Sequence, residues 1–118
     1  MIKTFRDLNV WKTSHQLTLL IYQVTSNFPK EETYGLTSQL RRSAVSVPSN
    51  IAEGFKRKSR KDFAHFVNIA ESSLEETKYQ ILLAKDLTYI SEENSNKLTY
   101  LCDEAGRMLC GLYKKLNL

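Results

Sequence analysis

FPKEETYGLTSQLRRSAVSVPSNIAEG, residues Phe28 to Gly54, is the stretch from which the fold can be read. It holds both prolines, two of the four glycines and a paired arginine. Leu36, Leu40, Ser43 or Ala44, Val47 and Ile51 recur at intervals of three and four, which puts them on one face of a helix. Gln39, Arg42, Ser46, Asn50 and Glu53 form a second row that is polar throughout. Val45, Pro48 and Ala52 form a third, small and apolar, in line with Arg41. A helix packed on one core needs a single apolar stripe, so the extra stripe points to contact on two sides. Small residues also tolerate partial exposure, which is the competing explanation. Pro48 removes one backbone donor and crowds the carbonyl of Ala44, a penalty of about 3 kcal/mol in a helix interior. The helix either kinks and continues, or breaks and restarts at Pro48. The apolar phase is unchanged from Leu36 to Ile51, which favours the kink, with Gly54 as a left-handed residue just past the helix end.

Working outward, the flanks read as three more helices. Val10, Trp11, Ser14, Leu17, Ile21, Val24 and Phe28 form a near-heptad seam, with Trp11 in the core. That helix is expected to start after Asp7 as N-cap and to run to about Asn27, where Phe28-Pro29 stops it. Ser59 and Asp62 open a third helix with a weak form of the capping box. Its core row is Phe63, Phe66, Val67, Ala70, Leu74, Thr77, Ile81 and Ala84, with Glu71, Glu75, Glu76 and Lys78 on the exposed face. Ser91 caps a fourth helix, where Glu92 and Glu93 suit the positive end of the dipole and Lys114 and Lys115 the negative. Short connections join antiparallel neighbours. Residues 1–118 are therefore expected to form one all-α domain, an antiparallel up-down-up-down four-helix bundle.

Composition agrees. A chain of 118 residues with 42% hydrophobic content suffices for a single core, and four glycines with two prolines are too few for the turns of an all-β fold. The opening MIKTFRDLNVWKTS is charged, and no apolar run of about 20 residues is present to cross a bilayer. A soluble, cytoplasmic protein is expected. Cys102 and Cys110 fall on one helix with α-carbons about 12 Å apart, too far to bridge. Both are expected to be small core residues in a reducing compartment.

The charge is uneven. The net value is +4, yet Arg41, Arg42, Lys56, Arg57, Lys58, Arg60 and Lys61 stand against Glu53 alone between residues 41 and 61, a local +6. Such a cluster attracts phosphate, and repeated around a ring of subunits it makes a continuous basic rim. The bland alternative is a solvated turn that keeps the bundle in solution. Only Phe55 is interleaved among these bases, so backbone-directed, weakly specific binding is expected rather than base stacking. Glu53 opposes the helix dipole and should have a basic partner, with Arg42, Arg57 or an arginine on a neighbouring subunit as the candidates. The row Gln39, Arg42, Ser46, Asn50 and Glu53, flanked by Val45 and Pro48, is the expected contact between subunits, simple solvent exposure being the alternative. Tyr34 and Gly35 are expected to shape the loop before the second helix. Neither His15 nor His65 lies three residues after a glutamate, as a carboxylate-bridged metal site in a bundle requires. No phosphate-cradling glycine loop or Ser/His/Asp ordering appears. No enzyme, cofactor or metal is expected, and His65 is expected to be partly buried and hydrogen-bonded.

The run YGLTSQLRRSAVSVPSNIAEG (34–54) resembles the signature of bacterial four-helix-bundle proteins encoded within intervening sequences of large-subunit ribosomal RNA genes. FRDLNVWKTSHQL (5–17) and FAHFVNIAESSLEETKYQILLAKDL (63–87) are similar to the same family in position and character. A relative of that family, the accessory variability protein of diversity-generating retroelements, is a pentameric barrel that binds nucleic acid and a reverse transcriptase. The resemblance thus implies a bundle fold, a homo-oligomer of which a pentamer is the favoured form, and RNA or DNA as partner. The rival expectation is a protein-only adaptor that scaffolds an enzyme without touching nucleic acid.

Overall fold

Four long helices account for most of the chain: α1 (Asn9–Thr25), α2 (Leu36–Phe55), α3 (Arg60–Asp86) and α4 (Glu92–Leu116). The structure is a computed structural model and describes residues 1–118, with short 3-10 turns at Phe5–Asp7 and Lys30–Glu32 and no strand. α1 packs on α2 and α4, and α3 packs on the same two, while the diagonal pairs bring no α-carbons within 8 Å of each other. Short connections then make every neighbour antiparallel, which is the expected up-down-up-down bundle, 43 × 25 × 21 Å in extent. Leu17, Ile21, Leu40, Val47, Ile51, Val67, Leu98 and Leu109 are fully buried along its axis.

α2 runs unbroken through Pro48, so the chain continues rather than restarting there. The Ala44 carbonyl, which Pro48 cannot serve, lies 3.2 Å from the Thr18 hydroxyl of α1. Gly54 departs from expectation. It is buried inside α2, and no residue but Thr88 has positive φ. A Cβ there would stand 2.7 Å from Phe66 Cβ and 2.9 Å from Phe63 Cδ1, so the missing side chain lets α3 come close. A polar network also ties α2 to α3. Thr77 donates to Ser43 at 2.8 Å, Ser43 donates to Gln80 Oε1 at 2.7 Å, and Gln80 donates to Glu76 at 3.1 Å.

Helix ends follow capping chemistry in three of the expected places and, counting Gly54, miss two. Ser59 accepts from the Asp62 amide and Ser91 from the Asn94 amide, both at 3.1 Å. Lys114 and Lys115 occupy the last turn of α4. Asp7, however, does not cap α1. It closes a capping box with Thr4 around the Phe5–Asp7 turn, and Leu8 precedes α1 without a side-chain cap. The amides of Thr4 and Lys3 hold the Asp7 carboxyl below its ordinary range. Glu71, expected on the exposed face, is half-buried at a groove between α3 and α4, and desolvation raises its pKa. Cys102 is buried as expected, whereas Cys110 is exposed. Trp11 is half-buried, edge-on to Phe5 and stacked on His15.

Candidate nucleic-acid interface

Antiparallel topology gathers four chain segments at one end of the bundle: the Phe5–Asp7 turn, the start of α1, the α2–α3 turn and the end of α4. A hydrogen bond from the Arg60 guanidinium to the Lys115 carbonyl joins the last two. Lys56, Arg57, Lys58, Arg60 and Lys61 are all exposed there, as the sequence suggested. The fold adds Lys3, Arg6, Lys12, Lys114 and Lys115, also exposed, so ten of the 17 lysines and arginines share this end. Only Asp7, Glu53 and Asp62 oppose them. The chain's ion pairs, Lys78–Glu75, Lys97–Glu93 and Arg107–Glu104, lie elsewhere, so none of the ten is neutralised by a carboxylate in contact. The opposite end carries Glu31, Glu32, Asp86, Glu92 and Glu93, which gives the molecule a lengthwise charge asymmetry.

The end is only partly fixed in place. Arg57 lies 4.5 Å over the Phe66 ring, and Arg60 is tied to α4. Lys56, Lys58 and Lys61 project without partners. Such flexible ammonium groups follow phosphates as point charges and impose no base readout.

Arg41 and Arg42 are not part of this end. They precede Lys56 on the same helix by about 21 Å at 1.5 Å per residue. Arg41 is committed to α1: its Nε donates to Thr25 Oγ1 at 2.8 Å, its Nη2 to the Tyr22 carbonyl at 3.3 Å, and its guanidinium stacks 4.5 Å from the Tyr22 ring centre. Arg42 is exposed and makes no ion pair.

The expected inter-subunit row on α2 is divided. Pro48 is buried within its own bundle, which removes it from any surface a second copy could touch. Ser46 is hydrogen-bonded to Ser73 of α3 at 2.8 Å, and Asn50 turns back to the Ser46 carbonyl at 2.7 Å. Gln39, Arg42 and Glu53 remain exposed, and Val45 is 37% exposed. Within its own bundle Glu53 pairs with neither Arg42 nor Arg57. Larger exposed apolar groups lie on α1 and α4, where Leu19 and Tyr100 are 57% and 63% exposed. Leu20, Tyr100 and Leu101 line a groove of about 460 Å³ between those helices. Leu19 and Leu20 add apolar residues beside the α1 seam, which is a signal for this surface in the sequence itself.

The remaining candidates sort simply. His65 is exposed, edge-on to Phe66 and without a hydrogen bond, rather than partly buried. No three His, Cys, Asp or Glu side chains converge to hold a metal ion. Gly35 does shape the loop, since Glu32 reaches past it to accept the Leu36 amide at 3.0 Å. The other Glu32 oxygen accepts the Tyr89 hydroxyl at 3.0 Å and raises its pKa. Tyr34 has no such role and is 96% exposed.

Fold and surface together define a helical bundle with one uncompensated cationic end. The chain belongs to the 23S rRNA-intervening sequence protein family, whose model matches residues 6–111. Its fold is similar to that of a protein of unknown function from the S23 ribosomal protein family of Bacteroides thetaiotaomicron VPI-5482. The two share 24% identity over 89% of this chain and 95% of the other, with a TM-score of 0.80. Among curated proteins none matches. No helix is long and apolar enough to cross a membrane.

Proposed function

We propose that this protein is a nucleic-acid-binding bundle, acting in the cytoplasm by binding rather than turnover, and that its basic end holds backbone phosphates with little sequence preference. One observation carries the reading: ten exposed cations share one end with three carboxylates, and none of the ten is in an ion pair. Cations that have no carboxylate to release keep their full attraction for phosphate, and counterion release makes that attraction salt-dependent. The test is fluorescence anisotropy with a labelled DNA duplex and an RNA hairpin at 50 and 200 mM salt. Reversing Lys56, Arg57 and Lys58 to glutamate should abolish binding at the lower salt. Wild-type protein that binds neither probe at 50 mM salt sinks the reading and favours the protein-only adaptor.

Self-association belongs to the same reading, because a ring of copies multiplies the basic ends that one strand can meet. The exposed Tyr100, which lines the α1–α4 groove, and the exposed Leu19 of α1 support it. They make this face a better contact than the α2 row, whose Ser46 and Asn50 are already satisfied internally. Light scattering should give a multiple of 13.6 kDa, a pentamer being the favoured number. Leu19→Glu combined with Tyr100→Glu should reduce it to a monomer. A wild-type monomer would remove the ring.

A further inference from the structure

Beside the first turns of α2 lies a groove of about 530 Å³, within the range of small-ligand sites, and it is separate from the basic end. Tyr22, Tyr34, Arg41, Arg42, Thr37 and Val45 are among the residues that line it. Three features set it apart from ordinary surface. Tyr34 is almost wholly exposed, yet its turn is held by the Glu32-to-Pro29, Thr33-to-Lys30 and Gly35-to-Glu32 backbone hydrogen bonds of 2.9 to 3.1 Å. Arg41 is held over the Tyr22 ring, 4.5 Å from its centre, by two hydrogen bonds, which makes a fixed cation–aromatic stack. Arg42, its neighbour in sequence, has no acidic partner.

Exposed aromatic rings and guanidinium planes are the platforms on which unpaired bases stack, and a nearby unpaired guanidinium suits the phosphate. Bases paired within a duplex keep their faces covered and cannot use such a platform. We infer that this groove takes one nucleotide unit of a single strand, its base on Tyr34 and the Arg41–Tyr22 stack and its phosphate on Arg42. This inference rests on the proposed nucleic-acid binding and deepens it: the basic end holds backbone of any kind, and the groove distinguishes single strands from duplex. Order in the turn backbone and in the Arg41–Tyr22 stack confines the freedom lost on binding mainly to the Tyr34 side chain.

The experiment compares a labelled 20-nucleotide oligothymidylate with a 20-base-pair duplex by anisotropy under the same salt conditions. Tyr34→Ala should weaken single-strand binding by about tenfold, within the range of base–aromatic stacking, and leave duplex affinity unchanged. Arg42→Ala should flatten the single-strand salt dependence by about 0.7 in log–log slope, the value for one phosphate. Because both side chains are exposed, the variants should keep the wild-type circular dichroism melt. The inference is overturned if Tyr34→Ala leaves single-strand affinity within twofold, or lowers both affinities equally. Failure of the basic-end reading looks different: duplex binding would then survive charge reversal at Lys56, Arg57 and Lys58.

Discussion

A methyl group added at Gly54 would meet Phe66 Cβ at 2.7 Å, an atom close to the α3 backbone that cannot swing away. Gly54→Ala should therefore destabilise the bundle by about 1–3 kcal/mol, the usual cost of overpacking, although alanine is the better helix former. A melting temperature equal to or above wild type would show that α3 shifts freely. From sequence this glycine reads as a left-handed cap, because a glycine near a helix end serves either purpose. Only the position of the Phe66 and Phe63 rings decides between them, and that is tertiary information. The two cysteines make a second case at this scale. Burial pushes the Cys102 thiol up to about 12, while Cys110 lies exposed on the same helix. The thiolate is the nucleophile, so iodoacetamide at pH 8 should modify Cys110 and spare Cys102 in the folded protein. Peptide mass mapping that finds Cys102 modified as fast as Cys110 would contradict this arrangement.

At the scale of the element, α2 keeps its hydrogen-bond ladder past Pro48 with help from α1. The Thr18 hydroxyl stands 2.9 Å from the Ser14 carbonyl and 3.2 Å from the Ala44 carbonyl that Pro48 leaves without its usual amide donor. The two acceptors share one proton. Thr18→Val should cost about 1 kcal/mol, since it takes away the hydroxyl that stands in for the missing amide at a buried carbonyl. In a Pro48→Ala background the amide of residue 48 serves Ala44, and the same substitution should cost less, with a coupling of about 0.5–1 kcal/mol. Additive urea-unfolding free energies across the four proteins would refute the account. The helices themselves were legible in the sequence, because apolar spacing and the Ser59 and Ser91 caps act locally. Neither the Thr18 contact nor the burial of Gln80 could be read that way. Gln80 is buried because Ser43, 37 residues earlier, meets its side chain across the α2–α3 contact.

Over the whole molecule, the basic end is a product of topology more than of sequence clustering. The run Lys56 to Lys61 was visible as a string of charges, but Lys3, Arg6, Lys12, Lys114 and Lys115 join it only because the helices alternate in direction. The same alternation leaves Arg41 and Arg42 part-way along the bundle, where one is bound to Tyr22 and Thr25 and the other lines a groove. This yields a test that the linear charge run does not supply. Lys114→Ala with Lys115→Ala removes two cations more than 50 residues from the Lys56–Lys61 turn but at the same end of the bundle. If the end acts as one surface, the pair should weaken duplex binding and flatten its log–log salt slope by up to about 1.8, at 0.9 for each phosphate no longer neutralised. Lys30→Ala with Lys85→Ala, both exposed at the acidic end, should leave both quantities unchanged. Alanine rather than glutamate keeps an acid out of the last turn of α4, where it would oppose the helix dipole and confuse binding with fraying. Anisotropy titrations between 50 and 200 mM salt measure both effects. Equal losses from the two pairs would mean that overall charge governs binding and that the end has no role of its own.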